Sequence, residues 1–88
     1  MKTFKFIIST PDGNLLEDDI VKMSVRGAEG DLAVMANHIP FVTSVRPCVC
    51  HIELEDGSRK SYKLERGLLS VTPESTVLMS GSAEQQDE

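Results

Sequence analysis

An excess of positive charge is missing from this chain, whose 88 residues carry 14 Asp and Glu against 9 Lys and Arg for a formal net charge of −5. Nucleic-acid binding needs a basic footprint, and electrostatic attachment to anionic lipid needs a polybasic patch. Neither is present. Three acids, Glu84, Asp87 and Glu88, are gathered at the end, so the body is nearly balanced with 11 acids against 9 bases. Long apolar runs are missing too: none approaches the roughly 20 residues that span a bilayer, so direct membrane insertion is not expected. Near the start, Phe4, Phe6, Ile7 and Ile8 are interrupted by Lys5 and followed at once by Ser9-Thr10-Pro11. That is no secretory core, and the protein is expected to stay where it is made.

Cysteine is scarce. Cys48 and Cys50 are the only two, and on a strand their Cα atoms would stand roughly 6.6 Å apart. This is near the outer limit for a disulfide, so both are expected to be free thiols. Together with His51, and His38 as a fourth ligand, they form the best metal candidate in the sequence. On a strand, however, Cys48 and Cys50 face one side and His51 the other, and tetrahedral zinc sites use wider spacings. The bland reading is two small core residues. The other marks of catalysis are absent: no G-x-S-x-G elbow, and no glycine loop running into Lys-Ser or Lys-Thr at a helix start. The close carboxylates Asp18-Asp19 and Glu53/Glu55 read as solvated turn or strand positions. No cofactor and no metal are expected.

What the chain does have is alternation. Phe4, Phe6 and Ile8 share one face. Val21, Met23 and Val25 alternate with Lys22, Ser24 and Arg26, and Leu32 and Val34 begin another run. Cys50, Ile52 and Leu54 alternate with His51, Glu53 and Glu55, after which Asp56-Gly57 turns the chain into Lys60 to Leu64 as a hairpin. Leu68 to Val71 and Thr76 to Met79 close the series around Thr72-Pro73-Glu74-Ser75. A period of two marks half-buried strands. About nine or ten short strands with no required helix predict an all-β fold, an antiparallel β-sandwich in two sheets, over residues 1–80. Residues 81–88 are expected to form a loosely ordered acidic tail. A domain this small buries little more than about 60% of the surface that its unfolded chain exposes, which favours work against a partner over a deep catalytic cleft.

The most informative stretch runs from Gly27 to Pro47. Gly27 and Gly30 bracket a tight turn with Glu29 and Asp31 at its rim, and His38-Ile39-Pro40 opens a second loop. If both loops lie at one end of the sandwich, they present two acids and an imidazole together. The alternative is turn chemistry and nothing more, and the residues alone do not decide between them.

This stretch resembles the epsilon-subunit pattern of the rotary proton-translocating ATP synthase, Gly-x-Glu-Gly-x-Leu-Gly-x-x-x-x-His-x-Pro-Leu, at Gly27, Glu29, Gly30, Leu32, His38 and Pro40. Thr10-Pro11-Asp12-Gly13 is similar to the family's first turn. Gly67-Leu68-Leu69-Ser70-Val71 and Thr76-Val77-Leu78 are similar to its closing strands. Ala33, Ala36-Asn37, Cys48 and Arg66 stand where the family pattern has glycine or Pro-Gly. The resemblance implies a non-catalytic central-stalk subunit joining the gamma subunit to the c ring and coupling rotation to ATP synthesis and proton transport. Its place would be peripheral, on the cytoplasmic side of the bacterial inner membrane. It further implies that Glu29, Asp31 and His38 face the c ring and that an exposed apolar sheet face meets gamma. Longer family members continue into a helical hairpin that inhibits hydrolysis and in some binds ATP; with the chain given ending in the acidic tail, those functions are expected to be missing. A free-standing β-sandwich module for a small ligand or a peptide fits the same composition. A small metal-dependent enzyme would rest on the cysteine pair and the histidines alone.

Overall fold

The computed structural model describes residues 2–86 and shows ten strands with no helix among them. These are β1 (Phe4–Thr10), β2 (Gly13–Ile20), β3 (Lys22–Gly27), β4 (Gly30–Met35), β5 (Phe41–Val45), β6 (Cys48–Glu53), β7 (Arg59–Leu64), β8 (Gly67–Val71), β9 (Thr76–Ser80) and β10 (Ala83–Gln86). They form two layers. One runs β4-β3-β6-β7-β10 and the other β5-β8-β9-β1-β2. The layers are not separate sheets, because the pair Gly27↔Val45 carries the hydrogen-bond ladder from β3 into β5 and makes one ten-stranded sheet folded on itself. Arg46 N–H donates to the Arg26 carbonyl at 3.0 Å and extends that seam.

Alternation does what the sequence pattern requires. Phe6 and Ile8 on β1, Met23 and Val25 on β3, and Leu69 and Val71 on β8 all point inward at 4% exposure or less. Each such side chain contributes roughly 1.5–3 kcal/mol on leaving water, and every strand except β10 supplies at least one. The 54–58 turn is closed by Leu54 N–H to Ser58 O at 2.9 Å, with Gly57 at φ 88°. Asp56 Oδ1 accepts from the Ser58 amide at 2.8 Å and from its hydroxyl at 2.6 Å. Those bonds, led by the hydroxyl, hold the Asp56 carboxyl below its usual range.

Besides the continuity of the sheet, two features depart from the sequence reading. Strands β1 and β9 pair in parallel, from Phe6↔Thr76 to Ser9↔Met79, so the sandwich is not wholly antiparallel. The tail is also not loose over its first part. Ala83–Gln86 forms β10 and pairs with β7, with Ala83↔Leu64 and Gln86↔Ser61. Ser80 Oγ steadies the entry to β10 by donating to the Ser82 carbonyl at 2.7 Å. Asp87 and Glu88 lie outside the described residues.

Candidate functional site

The β3–β4 hairpin carries the two candidate acids. Gly27 and Gly30 pair across it, leaving a turn of two residues, and Gly30 sits at φ 123°, where an L side chain is strained. Arg46 Nη2 braces the tip from outside by donating to the Ala28 carbonyl at 3.1 Å. Arg26 Nε donates to Asp31 Oδ1 at 3.1 Å across the hairpin; the two side chains are 61% and 81% exposed. Glu29 has no ion-pair partner among the described residues. The tip therefore presents one engaged and one free carboxylate.

His38 is not with them. It follows Met35 in the 36–40 loop, its amide donating to the Met35 carbonyl at 3.3 Å, while Glu29 adjoins Gly30. Strand β4 lies between, and six residues at about 3.3 Å each hold its ends well over 10 Å apart. The expectation of acids and imidazole together at one end is thus corrected: they flank opposite ends of one strand. His38 instead packs on Phe41, with ring centroids 5.1 Å apart and planes tilted by 49°. Its Nδ1 lies 2.9 Å from the Ile39 carbonyl, which only accepts, so Nδ1 carries the proton. Asn37 makes the bend at φ 67°, which its short polar side chain tolerates.

The cysteine group does not converge on a point. Cys50 is fully buried and His51 is on the opposite, exposed side of β6, where Nδ1 is 3.1 Å from Ser61 Oγ. Both cysteines are free. Burial, and next the neighbouring Cys48, pushes the Cys50 thiol up to about 12. A thiol so hard to ionise is a poor nucleophile and a poor metal ligand.

A feature that the residue pattern did not single out lies on the outer face of β5-β8-β9-β1. Cross-strand register lines up Val42, Ser70, Val77 and Ile7 in one row and Ser44, Leu68, Met79 and Ser9 in the next. Val42 is 63% exposed, Met79 43% and Leu68 40%. Beside Leu68 and Met79 lies a shallow depression of about 580 Å³ lined also by Pro11, Gly67 and Gly81. A Cβ on Gly67 would stand 2.1 Å from the Met79 carbonyl oxygen, so only glycine permits this approach. The signal was in the sequence as doublets: Leu68-Leu69 and Val77-Leu78-Met79 put apolar residues on both faces, where half-buried strands alternate.

The family described as ATP synthase, Delta/Epsilon chain, beta-sandwich domain matches residues 3–86. The chain belongs to that family. It is 33% identical over 87 residues to the sodium-ion-specific ATP synthase epsilon chain of Acetobacterium woodii, covering 99% of this chain and 65% of that one. The epsilon chain of Sinorhizobium medicae is 31% identical over 87 residues, with the same 99% and 65% coverage. The chain thus spans just under two thirds of the length of these relatives. Among solved structures, a chain of the Euglena gracilis mitochondrial ATP synthase, OSCP/F1/c-ring, superposes with a TM-score of 0.89 at 20% identity, covering 94% of this chain and 53% of that one. A chain of the Tetrahymena thermophila mitochondrial ATP synthase central stalk/c-ring gives 0.77 at 13% identity, covering 93% and 66%. These two superpositions establish the fold. In this chain the candidates for partner contact are the hairpin tip at Glu29 and Asp31 and the outer face around Leu68 and Met79.

Proposed function

We propose that the chain is a non-catalytic element of the ATP synthase central stalk, held between the gamma subunit and the c ring, and that it couples rotation to ATP synthesis and ion transport. The observation that carries this reading, given family membership, is the cluster of Val42, Leu68 and Met79 on the outer face of β5-β8-β9-β1, where the other layer is mostly polar outside apart from Met35 and Val49. Gamma is assigned to that face, with Leu68 and Met79 as anchors beside the Gly67 depression. A few well-packed residues near the centre of an interface usually carry most of its energy.

The c ring is assigned to the hairpin tip. Glu29 and Asp31 offer charge-assisted hydrogen bonds to basic and polar loop residues, which set register and orientation more than affinity. His38, at the other end of β4, is left out of that contact. The place proposed for the chain, peripheral on the cytoplasmic face of a bacterial inner membrane, rests on its family.

The test is reconstituted enzyme carrying Glu29→Lys and Asp31→Lys. Like-charge juxtaposition at an interface can cost several kcal/mol, whereas exposed loop substitutions seldom change stability by more than about 0.5 kcal/mol. The variant is expected to assemble and hydrolyse ATP but to pump ions poorly. Pumping at the normal level would remove the ring from this tip.

A further inference from the structure

The folded sheet leaves four strands with a free edge, and they are not protected alike. Strand β2 carries Glu17, Asp18 and Asp19, and β10 carries Glu84. Charges of this kind keep a free row of N–H and C=O groups from pairing with another chain. Strand β5, Phe-Val-Thr-Ser-Val, has no charge at all. It pairs with β8 along its length, but toward β3 only at Val45. Strand β4 pairs with β3 alone and holds a single charge, Asp31.

The tip of the β3–β4 hairpin and the free stretch of β5 lie on either side of one opening. Between them lies an open groove of about 610 Å³, with Glu29, Gly30, Asp31 and Leu32 on one wall and Phe41, Val42 and Thr43 on the other. The groove's lining contains two acids and no cation. Glu29, the acid without an ion-pair partner among the described residues, is on the hairpin-tip wall.

We propose that this groove takes an extended segment of a partner polypeptide by strand addition to the Phe41–Ser44 edge of β5. The incoming strand has apolar side chains at alternate positions and an Arg or Lys at the end nearest Glu29. Three observations select that occupant. The free edge of β5 supplies backbone donors and acceptors, which only another extended backbone matches in series. The half-buried Leu32 and Phe41, with the exposed Val42, receive alternate side chains, since successive residues of a strand point to opposite faces. The lone carboxylate at one end fixes polarity and calls for a cation. A strand added here also continues the β5-β8-β9-β1 layer, so its outward side chains widen the same apolar face that is assigned to a partner.

The experiment uses the isolated chain and a labelled synthetic peptide of alternating valine and threonine ending in arginine, so that it stands or falls independently of the reconstituted enzyme. Saturable binding is expected, with slowed amide exchange at residues 41–44 and unchanged exchange along β2 and β10. The same peptide N-methylated at alternate positions keeps its side chains but loses half its donors, and is expected to bind at least about tenfold more weakly. Thr43→Lys places a protective charge on the edge and is expected to abolish binding; its thermal melt shows whether it folds, and the N-methylated peptide decides the matter if it does not. Equal binding of both peptides, protection mapped to any other strand, or no binding of either peptide overturns the proposal.

Discussion

Toward the core the two layers are alike. Met23, Cys50, Ile52 and Leu64 on one side meet Phe6, Ile8, Leu69 and Leu78 on the other, all at 1% exposure or less. Outward they diverge. The β3-β6-β7 layer lines up Lys22, Glu53 and Arg59 in one cross-strand row and Ser24, His51 and Ser61 in the next. The β5-β8-β9-β1 layer puts Val42, Ser70, Val77 and Ile7 in one row and Ser44, Leu68, Met79 and Ser9 in the next. Because both inner faces contribute burial of the same kind, stability does not account for the difference outside. The partner contact proposed above does, since exposed apolar side chains clustered on a small domain mark an interaction site.

The sharpest way to break this comparison is to charge each outer face in turn. Leu68→Glu with Met79→Glu is expected to weaken binding to gamma at least about a hundredfold, because two central apolar anchors would be replaced by buried unpaired carboxylates. Ser24→Glu with His51→Glu, on the polar layer, should leave the affinity within about twofold. Calorimetry with purified gamma reads both. Equal losses from the two pairs would mean that the layers are not distinguished by the partner at all.

A second contrast concerns how tightly each layer is built. Adding a methyl group at Gly67 drives it against the Met79 carbonyl, which is backbone and cannot turn aside, whereas at Gly27 the obstacle is the flexible end of Leu32 at 2.6 Å. Gly67→Ala is expected to cost about 1–3 kcal/mol in urea unfolding, as overpacking does, and Gly27→Ala clearly less. A larger loss at Gly27 would reverse the ranking of the two sites.

These contrasts also show what the sequence made legible. Strands with a strict period, such as Met23 and Val25 on β3 or Cys50 and Ile52 on β6, could be read because one face is buried and the other wet. Strands β2 and β10 could not. Gly-Asn-Leu-Leu-Glu-Asp-Asp-Ile and Ala-Glu-Gln-Gln lack alternation because each lies at an edge of the sheet, where one strand neighbour and little core constrain the residue pattern. The parallel pairing of β1 with β9 joins residues some seventy positions apart, and no local signal encodes it. The candidate site was half legible. Gly27 and Gly30 announced the acid-bearing turn, but His38 was grouped with it although the Leu32–Val34 run between them was itself a strand, and a strand keeps its two flanking loops at opposite ends.

The polar layer makes its own contribution in alkali. Burial raises the Cys50 thiol from 9.0 to about 12, so between those values the folded state keeps a proton that the unfolded state releases. Stability from this group is complete below about pH 9 and declines as pH rises toward about 12, with a slope of at most roughly 1.4 kcal/mol per pH unit. Tyr62, also raised by burial first and then by Cys50 and Asp18, adds a loss of the same sign above its ordinary value of 10.0. Urea titrations from pH 8.5 upward should therefore show a shallower decline for Cys50→Val than for the wild type. Identical slopes would show that Cys50 reaches water more readily than its packing implies.

The smallest expected effect compares one ion pair from each layer. Lys5 Nζ meets Glu17 at 3.2 Å on the apolar layer, with both side chains about half exposed; Arg26 meets Asp31 at 3.1 Å on the polar layer, more exposed still. Exposed pairs contribute about 0–1 kcal/mol, since water screens the attraction and ordering two long side chains offsets it. Double-mutant cycles to alanine should give a coupling near 0.5 kcal/mol or less for both pairs, with Arg26–Asp31 the weaker. For the proposed role that weakness matters: an Asp31 held so lightly can exchange Arg26 for a cation on a partner at little cost. Raising the salt to 1 M contracts the screening length to about 3 Å, so the couplings should shrink further. A coupling at Arg26–Asp31 well above 1 kcal/mol would mean that the carboxylate is committed within the hairpin, and Glu29 alone would then carry the contact with the ring.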